Sequence, residues 1–233
     1  MKRWAFWALG ALVLFSLGCG RMERTSYNPV IDPANFVAVV TNRYFPLVPG
    51  TVFTYIVHKD STTQDVTITV THSAKVILGV TCTVVHDLVK ANGQVVEDTL
   101  DWYAQDKSGD VWYFGEDTKK YEGSQVSTKG TWEAGVDGAK PGMIMEGNPR
   151  ISDAYRQEYL AKVAEDRAEV LSLTESATVP SGTYRNCLKT KDYSDLEPGT
   201  VENKVFYPNV GQVLTVMVKG GNEREELVSI THQ

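Results

Sequence analysis

The stretch LDWYAQDKSGDVWYFGED, residues 100–117, decides the fold that this sequence predicts. Two arms rich in aromatic residues flank the segment DKSGD at 106–110. Aromatic side chains favour a pleated, half-buried surface, and Gly with Asp and Ser allows a tight reversal of the chain. The stretch therefore predicts a β-hairpin. Its large side chains alternate between the two faces, which predicts a sheet that is covered on both sides.

Alternation of apolar and polar residues continues on both sides of this hairpin. The predicted strands share this pattern and cover residues 51–58, 66–76, 81–89, 95–104, 168–178, 183–193, 201–207, 212–219 and 223–230. Several connections carry turn residues, such as Asn92-Gly93. The pattern predicts an all-β, mainly antiparallel fold in the form of a curved sheet or half-barrel.

Two parts of the chain, about 51–118 and 166–231, contain similar residues in the same order. Cys82 and Asp87 have the same spacing as Cys187 and Asp192, and Gly, Glu, aromatic and Val residues follow in both parts. Two similar four-strand modules would each have too little core to be stable alone, so they are expected to pack together. We predict a single domain over 33–233; chance similarity among turn residues is the alternative.

Three segments depart from the alternation. Asp32 followed by Pro33 is typical of a helix start and predicts a short helix over residues 33–40. Residues 119–149 contain six glycines and two prolines, which predicts an irregular insertion of the kind that is often functional. Residues 152–168 fit both helical and strand spacing, and we favour a strand to about Ala161.

The composition is that of an ordinary globular protein. Of the 233 residues 42% are hydrophobic and 22% are charged, and the formal net charge is -6. The sequence has no cluster of Lys and Arg residues. This charge balance argues against nucleic acid as a main partner.

Residues 1–18 have the features of an export signal. Lys2 and Arg3 precede an apolar run over 4–15, which is shorter than the roughly 20 residues that span a bilayer. The ending Ser16-Leu17-Gly18-Cys19 resembles the lipobox of bacterial lipoproteins. The usual pattern has Leu and the small residue in the opposite order to Ser16 and Leu17, so plain secretory cleavage is the alternative.

The lipobox resemblance implies that Cys19 carries fatty acyl groups such as palmitate and becomes the mature N-terminus. Residues 19–32 would then form a tether between the lipid and the domain. Gly20 stands where an Asp commonly signals retention in the inner membrane. The resemblance therefore implies the outer membrane of a Gram-negative cell, on its periplasmic or its surface side.

Three motifs are spread over the predicted domain: YFPLVPG at 44–50, ESATVPSGTY at 175–184 followed by NCLK at 186–189, and YPNVG at 207–211. In this combination the chain resembles exported bacterial β-rich lipoproteins whose function is unassigned. The resemblance covers most of the mature chain. It implies an antiparallel envelope domain, and it transfers no active site.

Two cysteines remain if Cys19 is lipidated. Export would permit a disulfide between Cys82 and Cys187. Cys82 lies on an inward face with Val84, whereas Cys187 lies between charged residues on its strand. A Cys82–Cys187 disulfide and two separate thiols therefore both remain open.

The central hairpin has part of a calcium-loop pattern. Asp106, Ser108, Asp110 and Asp117 stand at positions 1, 3, 5 and 12 of such a loop. The glycine required at position 6 is replaced by Val111. An ordinary charged hairpin turn explains the same residues, so no cofactor is expected and Ca²⁺ is the one to test.

His72 and His86 form a second candidate metal site. They lie seven residues on either side of Gly79 and would face each other in a hairpin centred there. Cys82 or Asp87 could complete a zinc or copper site. The alternative is a hydrogen-bonded core or edge histidine.

Acidic residues near tryptophans suggest a carbohydrate site. These acids are Asp101, Glu116, Asp117, Glu133 and Asp137, and the tryptophans are Trp102, Trp112 and Trp132. A glycosidase needs two carboxyls at a set separation, which the sequence does not fix. The common motifs of serine hydrolases, zinc proteases, dithiol redox sites and phosphate loops are absent from the sequence.

We therefore predict a non-catalytic, lipid-anchored envelope protein. Its concave face would bind an apolar or amphipathic ligand or a partner protein, with residues 119–149 as a variable rim. One alternative is a carbohydrate-active hydrolase that uses acids near Trp102 and Trp112. The other is a structural component of an envelope or surface assembly.

Overall fold

The computed structural model describes residues 27–233, and almost all of its regular structure is antiparallel strand. The predicted export segment and Cys19 lie outside the described residues. No helix in the described part of the chain has the length and hydrophobicity needed to span a bilayer. The elements, numbered in chain order, are a 3₁₀ turn at Pro33–Asn35, β1 Phe36–Val37, β2 Val40–Thr41, β3 Pro46–Leu47, β4 Thr51–Lys59, β5 Thr62–Ile77, β6 Val80–Ala91, β7 Gln94–Asp106, β8 Val111–Glu122, β9 Gln125–Ser127, β10 Trp132–Glu133, β11 Lys140–Met145, β12 Ala154–Arg156, β13 Glu158–Tyr159, β14 Asp166–Val179, β15 Gly182–Ser194, β16 Val201–Tyr207, β17 Gly211–Lys219 and β18 Arg224–His232.

Ten strands form two antiparallel meanders. Strands β4 to β8 pair in chain order, and strands β14 to β18 do the same. β18 pairs with β4, so that the two meanders form one continuous sheet. The predicted all-β antiparallel fold is confirmed, with five strands in each meander where the sequence suggested four. That the meanders are repeats of one another stays a prediction.

The sheet nearly closes on itself at Gln157. β12 pairs with β14 at one end of the sheet, and β13 pairs with β11 at the other end. Gln157 alone separates β12 from β13, so one short stretch of chain borders both ends. Its backbone N–H donates to the carbonyl of Asp166 over 2.8 Å. The predicted curved sheet is therefore closer to a complete barrel than to a half-barrel.

The insertion predicted over 119–149 is irregular only in part, because about half of its residues lie in strands. β9, β10 and β11 all pair with the free edge of β8. Gly115 in β8 permits the approach of β10, because a Cβ atom at this position would lie 2.2 Å from the carbonyl oxygen of Trp132. The insertion thus extends the sheet from β8 to β13.

The helix predicted over residues 33–40 is also wrong beyond its first turn. Asp32 caps the 3₁₀ turn as expected, since its Oδ1 accepts from the Ala34 N–H over 3.0 Å. The chain then becomes extended, and Phe36–Val37 pairs with β7. The Phe36 ring packs edge-on against Phe114 with 5.6 Å between centroids. Sheet pairing and this aromatic contact outweigh a short helix, which is marginal without tertiary support.

The region 152–168 contains β12 and β13, which agrees with the strand that we favoured there. The N-terminal residues of the described chain are held against the same part of the sheet. The Tyr27 hydroxyl donates to the carbonyl of Pro141 over 2.8 Å, and the Lys140 ammonium donates to the Tyr27 carbonyl over 2.5 Å. From Tyr27 onward the chain is therefore attached to the domain.

Hydrophobic side chains form two clusters. The larger includes Phe53, Leu188 and Leu227, and the smaller surrounds Trp102 and Phe114. The central hairpin contributes to both, as its alternating pattern predicts. Each fully buried side chain of this size contributes roughly 1.5–3 kcal/mol to folding.

We predict that Gly142→Ala lowers the free energy of unfolding by about 1–3 kcal/mol. Gly142 lies in β11, where a Cβ atom would be 2.2 Å from the carbonyl carbon of Gln157. Gly199→Ala is the matched control, because no atom lies within 4 Å of a Cβ at that position. Urea unfolding followed by circular dichroism measures both. Equal stability of the two variants would contradict the close packing at this seam.

Candidate ligand-binding cavity

The inner surface of the sheet encloses a cavity of about 360 Å³. Strands of both meanders line it, and each contributes alternate residues, which face the same side of the sheet. Sites for small molecules typically measure roughly 300–1,000 Å³. The cavity is therefore large enough for a small ligand.

One end of the cavity is apolar and is covered by the segment before β4. Phe45 and Leu47 line this end, and the Phe45 ring packs edge-on against Tyr103 at 5.2 Å. Buried Asn42 fixes the segment, since its Oδ1 accepts from the backbone N–H groups of Tyr44 and Phe45 over 2.8 and 3.0 Å. Its Nδ2 donates to two carbonyls of neighbouring loops. Sequence analysis missed Asn42, although Asn before a turn commonly bonds in this way.

The other end of the cavity is charged, because the inward residues of neighbouring strands change from apolar to charged toward the same end. Along β6 the inward position changes from Val85 to Asp87 as residue numbers increase. β7 runs in the opposite direction, and there the change from Tyr103 to Asp101 occurs as numbers decrease. On β16 and β18, as on β7, the charged inward residues are those with the lower numbers. The charged side chains that line the cavity are Asp87, Asp101, Glu202, Lys204, Glu223 and Glu225.

A second cavity of about 340 Å³ adjoins this charged end. The two share Glu202 and Lys204 as lining residues. Glu158 and Asp166 line the second cavity, and burial raises the pKa of both carboxyls. The interior therefore continues beyond the charged end into a second acidic space.

Lys204 is the one cation among the charged residues that line the first cavity. Burial opposes its charged form, but Asp192 and Glu202 together raise the pKa of its ammonium. Its Nζ lies 3.1 Å from Asp192 Oδ2, which also accepts from the Gln157 side-chain amide over 3.1 Å. Lys204 is thus paired with a carboxylate that the sheet closure holds in place.

Asp101, which is buried, and Glu116, which is half-buried, form a pair of carboxyls on neighbouring strands. The Tyr113 oxygen lies 2.6 Å from Asp101 Oδ1 and 3.1 Å from Glu116 Oε2. Burial raises the pKa of Asp101 to about 6, and burial together with the Asp101 charge raises the pKa of Glu116 to about 7. A hydroxyl has one hydrogen to donate, so the second contact becomes a hydrogen bond when Glu116 keeps its proton and donates it.

Asp87 and Glu225 complete the acidic end. Burial, followed by the nearby Asp101 charge, raises the pKa of Asp87 well above its ordinary value. Burial raises the pKa of Glu225 to about 6, and the Gln212 amide donates to its Oε2 over 2.7 Å. The Oδ1 atom of Asp87 is buried without a hydrogen-bond partner among residues 27–233. Asp87 is therefore the least satisfied carboxyl of the group.

The residues of the calcium-loop pattern serve the hairpin turn. Asp106 Oδ1 accepts from the N–H groups of Ser108 and Asp110 over 2.9 and 3.1 Å, and its Oδ2 accepts from the Trp112 indole over 3.1 Å. Asp117 lies six residues further along β8 than Val111, about 20 Å away at ~3.3 Å per residue. The structure does not bring Asp117 to the turn.

The two histidines do not face each other. His86 pairs with Thr69 across the ladder, and a register shift between Val70 and Ala74 displaces His72. His86 Nε2 instead lies 2.9 Å from Asp98 Oδ1. In the described part of the chain, no group of three or more His, Cys, Asp or Glu side chains is arranged to hold a metal ion.

Cys82 and Cys187 are separate, buried thiols that belong to different hydrophobic clusters. The structure contains no disulfide between them. Burial raises the pKa of Cys82 to about 12 and that of Cys187 to about 11. Neither thiol is ionised at neutral pH, so neither is an activated nucleophile.

The proposed carbohydrate residues are divided between two places. Asp101 and Glu116 belong to the interior, whereas Asp117, Glu133 and Asp137 line an outer groove beside Trp102 and Trp132. Both tryptophans are buried. The Lys75 ammonium lies 3.4 Å from the centroid of the Trp102 ring and 2.7 Å from Glu133 Oε2. The groove therefore offers no open aromatic platform at Trp102.

Sequence analysis missed Lys204, Glu202 and Glu225 as site residues. A signal was present in VENKVF at 201–206, where Glu202 and Lys204 have the same strand parity as Phe206. Charged residues on the face that also carries a core aromatic residue indicate a polar interior. They look like surface residues only when the strand is considered without its partners.

No protein-family model matches the chain, and no curated protein is significantly similar to it. Two solved structures are similar over most of its length. A Bacteroides fragilis protein assigned as exported, with a YmcC-like fold, is 13% identical with a TM-score of 0.49, over 82% of this chain and 99% of that chain. A Parabacteroides distasonis protein assigned as a lipoprotein is 14% identical with a TM-score of 0.46, over the same 82% and 99%.

We predict that the protein loses stability as the pH rises from about 4 to about 7. The ordinary pKa values of Asp101 and Glu116, which apply to the unfolded chain, are 3.8 and 4.5. In the folded protein the pKa of Asp101 rises to about 6 and that of Glu116 to about 7. The folded state thus binds more protons in this window, and a higher pH lowers the free energy of unfolding. Urea unfolding at pH 5 and pH 8 measures the difference.

The variant Asp101→Asn should reduce this pH dependence, because it removes one buried carboxyl and keeps an oxygen for Tyr113. Besides the two carboxyls themselves, the charged groups that shift the pKa of Asp101 or Glu116 are Glu97, His86 and Lys120. Asp65→Asn is the control, since the Asp65 side chain is exposed. A wild-type protein that is more stable at pH 8 than at pH 5 would show that these carboxyls are not buried as described.

Proposed function

We propose that this protein is a non-catalytic, lipid-anchored component of the cell envelope that binds an amphipathic small molecule inside its nearly closed sheet. The cavity carries this proposal, since it is apolar near Phe45 and Leu47 and charged near Asp87 and Asp101. Interiors of small closed sheets are ordinarily filled by side chains. A space that remains open and has two chemically different ends is typical of ligand binding.

The arrangement of the carboxyls supports binding more than hydrolysis. A glycosidase places two carboxyls on opposite sides of the scissile bond, with space for the sugar between them. Asp101 lines the cavity, whereas Glu116 is its immediate cross-strand neighbour, and both contact the same Tyr113 hydroxyl. Tyr113 thus occupies the position between the two carboxyls.

The sequence of residues 1–19 supports the membrane anchor. A charged start, an apolar run and the lipobox-like Ser16-Leu17-Gly18-Cys19 together favour lipidation of Cys19. The described chain is attached to the domain from Tyr27. The tether predicted over residues 19–32 would therefore end before Tyr27, which already contacts the domain. We propose the outer membrane of a Gram-negative bacterium as its location.

We predict that Cys19→Ser abolishes incorporation of labelled palmitate and moves the protein from the membrane fraction to the soluble fraction. The serine hydroxyl does not replace the thiol in lipoprotein modification. Cys82→Ser is the matched control and should keep both the label and the membrane association. Palmitate retained by Cys19→Ser would contradict the proposed anchor.

We predict that Ile68→Trp weakens binding of the apolar fluorophore N-phenyl-1-naphthylamine by about tenfold or more, because a pocket filled by a large side chain excludes the ligand. Ile68 lines the cavity and lies directly opposite Asp87. Thr67→Trp places the same side chain on the other face of β5 and should bind like the wild type. Fluorescence titration measures both affinities, and circular dichroism checks folding. Similar binding by both variants would place the probe outside the cavity.

A further inference from the structure

We infer that the ligand of the interior cavity carries a positive charge at one end, as an alkylammonium ion does. This inference rests on the proposed ligand-binding function and specifies the class of ligand. The cation would lie at the acidic end of the cavity, beside Asp87, and the alkyl chain would extend toward Phe53 and Phe45.

The charge of the cavity lining is the first observation. Five carboxyl groups and one ammonium group line it. The ammonium, on Lys204, is paired with Asp192, which belongs to the adjoining space. No second Lys or Arg side chain among residues 27–233 lines this cavity. The acidic end is therefore short of positive charge, and a buried carboxylate without a cation is costly.

Asp87 is the second, independent observation. Its side chain lines the cavity, and its buried Oδ1 atom has no hydrogen-bond partner in the described chain. The charges that act on it come from Asp101, Glu225, Glu97 and Glu116, and all of them are negative. A polar atom that is buried without a partner normally indicates a missing donor. An ammonium ion supplies that donor together with the missing charge.

The neighbouring carboxyls can share the same cation. Asp101 contacts the Tyr113 hydroxyl, and Glu225 accepts from the Gln212 amide, so both of these hydrogen-bond partners are neutral, although the Lys204 charge also favours the ionised form of Glu225. An alkylammonium ion has three N–H donors, and each carboxylate has several acceptor sites. Asp87, Asp101 and Glu225 together offer the acceptors that such a group requires. A hydrogen bond between two charged groups is about twice as strong as one between neutral groups.

The apolar end determines the rest of the ligand. Phe53, Ile68 and Val85 line the cavity on three neighbouring strands, immediately beside the acidic residues. An inorganic cation would leave this surface in contact with water, whereas an alkyl chain would cover it. The two surfaces together therefore favour an amphipathic ammonium over a metal ion.

Isothermal titration with four probes tests this inference: octylammonium, octanol, octanoate and methylammonium. The protein is the mature chain with Cys19→Ser, which lacks the proposed site of lipid attachment. We expect octylammonium to bind at least about tenfold more tightly than octanol, and octanoate to bind more weakly than octanol, because like charges repel. Methylammonium should bind more weakly than octylammonium, since it lacks the chain.

Asp87→Asn should lower the affinity for octylammonium by about tenfold and leave that for octanol within about twofold. Asp65→Asn, an exposed carboxyl on the neighbouring strand, should change neither. Urea unfolding checks that each variant is folded, and Glu225→Gln provides a second test at the same end of the cavity.

The possible failures are distinguishable. If octanol binds as tightly as octylammonium, or if Asp87→Asn and Glu225→Gln both keep the wild-type preference, the inference of a cationic ligand is wrong while ligand binding stands. If methylammonium binds as tightly as octylammonium, the site takes a cation without a chain, and the amphipathic class is wrong. If no probe binds, the proposed function itself fails.

Discussion

Closure of the sheet at Gln157 is the constraint on which the other features depend. The backbone of Gln157 bonds to Asp166 and its side chain bonds to Asp192, so one residue joins the last strands of the sheet to the paired Lys204. In an open sheet the inward carboxyls would face bulk water, and their pKa values would be ordinary. Closure removes them from water, which makes the acidic end of the cavity chemically unusual.

The acidic cavity lowers the stability of the fold but leaves a preorganised site for a ligand. Filling the interior with apolar side chains would be more favourable for folding than leaving space between carboxyls of like charge. Stability is supplied elsewhere, by the buried aromatic cluster around Trp102 and Phe114 and by long strands with continuous pairing. Functional sites commonly depart in this way from what is best for folding alone.

Local pattern was sufficient to predict the strands but not how the sheet closes. Alternation in residues 51–104 and 168–230 has a direct physical cause, since one face of each strand is buried. Lys140 in β11 pairs with Tyr159 in β13, 19 residues further along the chain. The sequence of β11, KPGMIM, contains proline and glycine, so local pattern does not identify it as a strand. The helix at 33–40 failed for the same reason, because Phe36–Val37 pairs with a partner far away in the chain. Of the site carboxyls, Glu202 and Glu225 were hidden as well, since acidic residues on a strand normally face water, whereas Asp87 and Asp101 were named for other kinds of site.

A crystal structure of the protein grown with octylammonium tests the account most directly. We predict that the sheet stays closed at Gln157, that the nitrogen lies about 3 Å from the Asp87 carboxylate, and that the chain lies among the apolar side chains of the cavity. An interior filled by collapsed side chains, or an octylammonium ion bound only on the outer surface, would contradict the account.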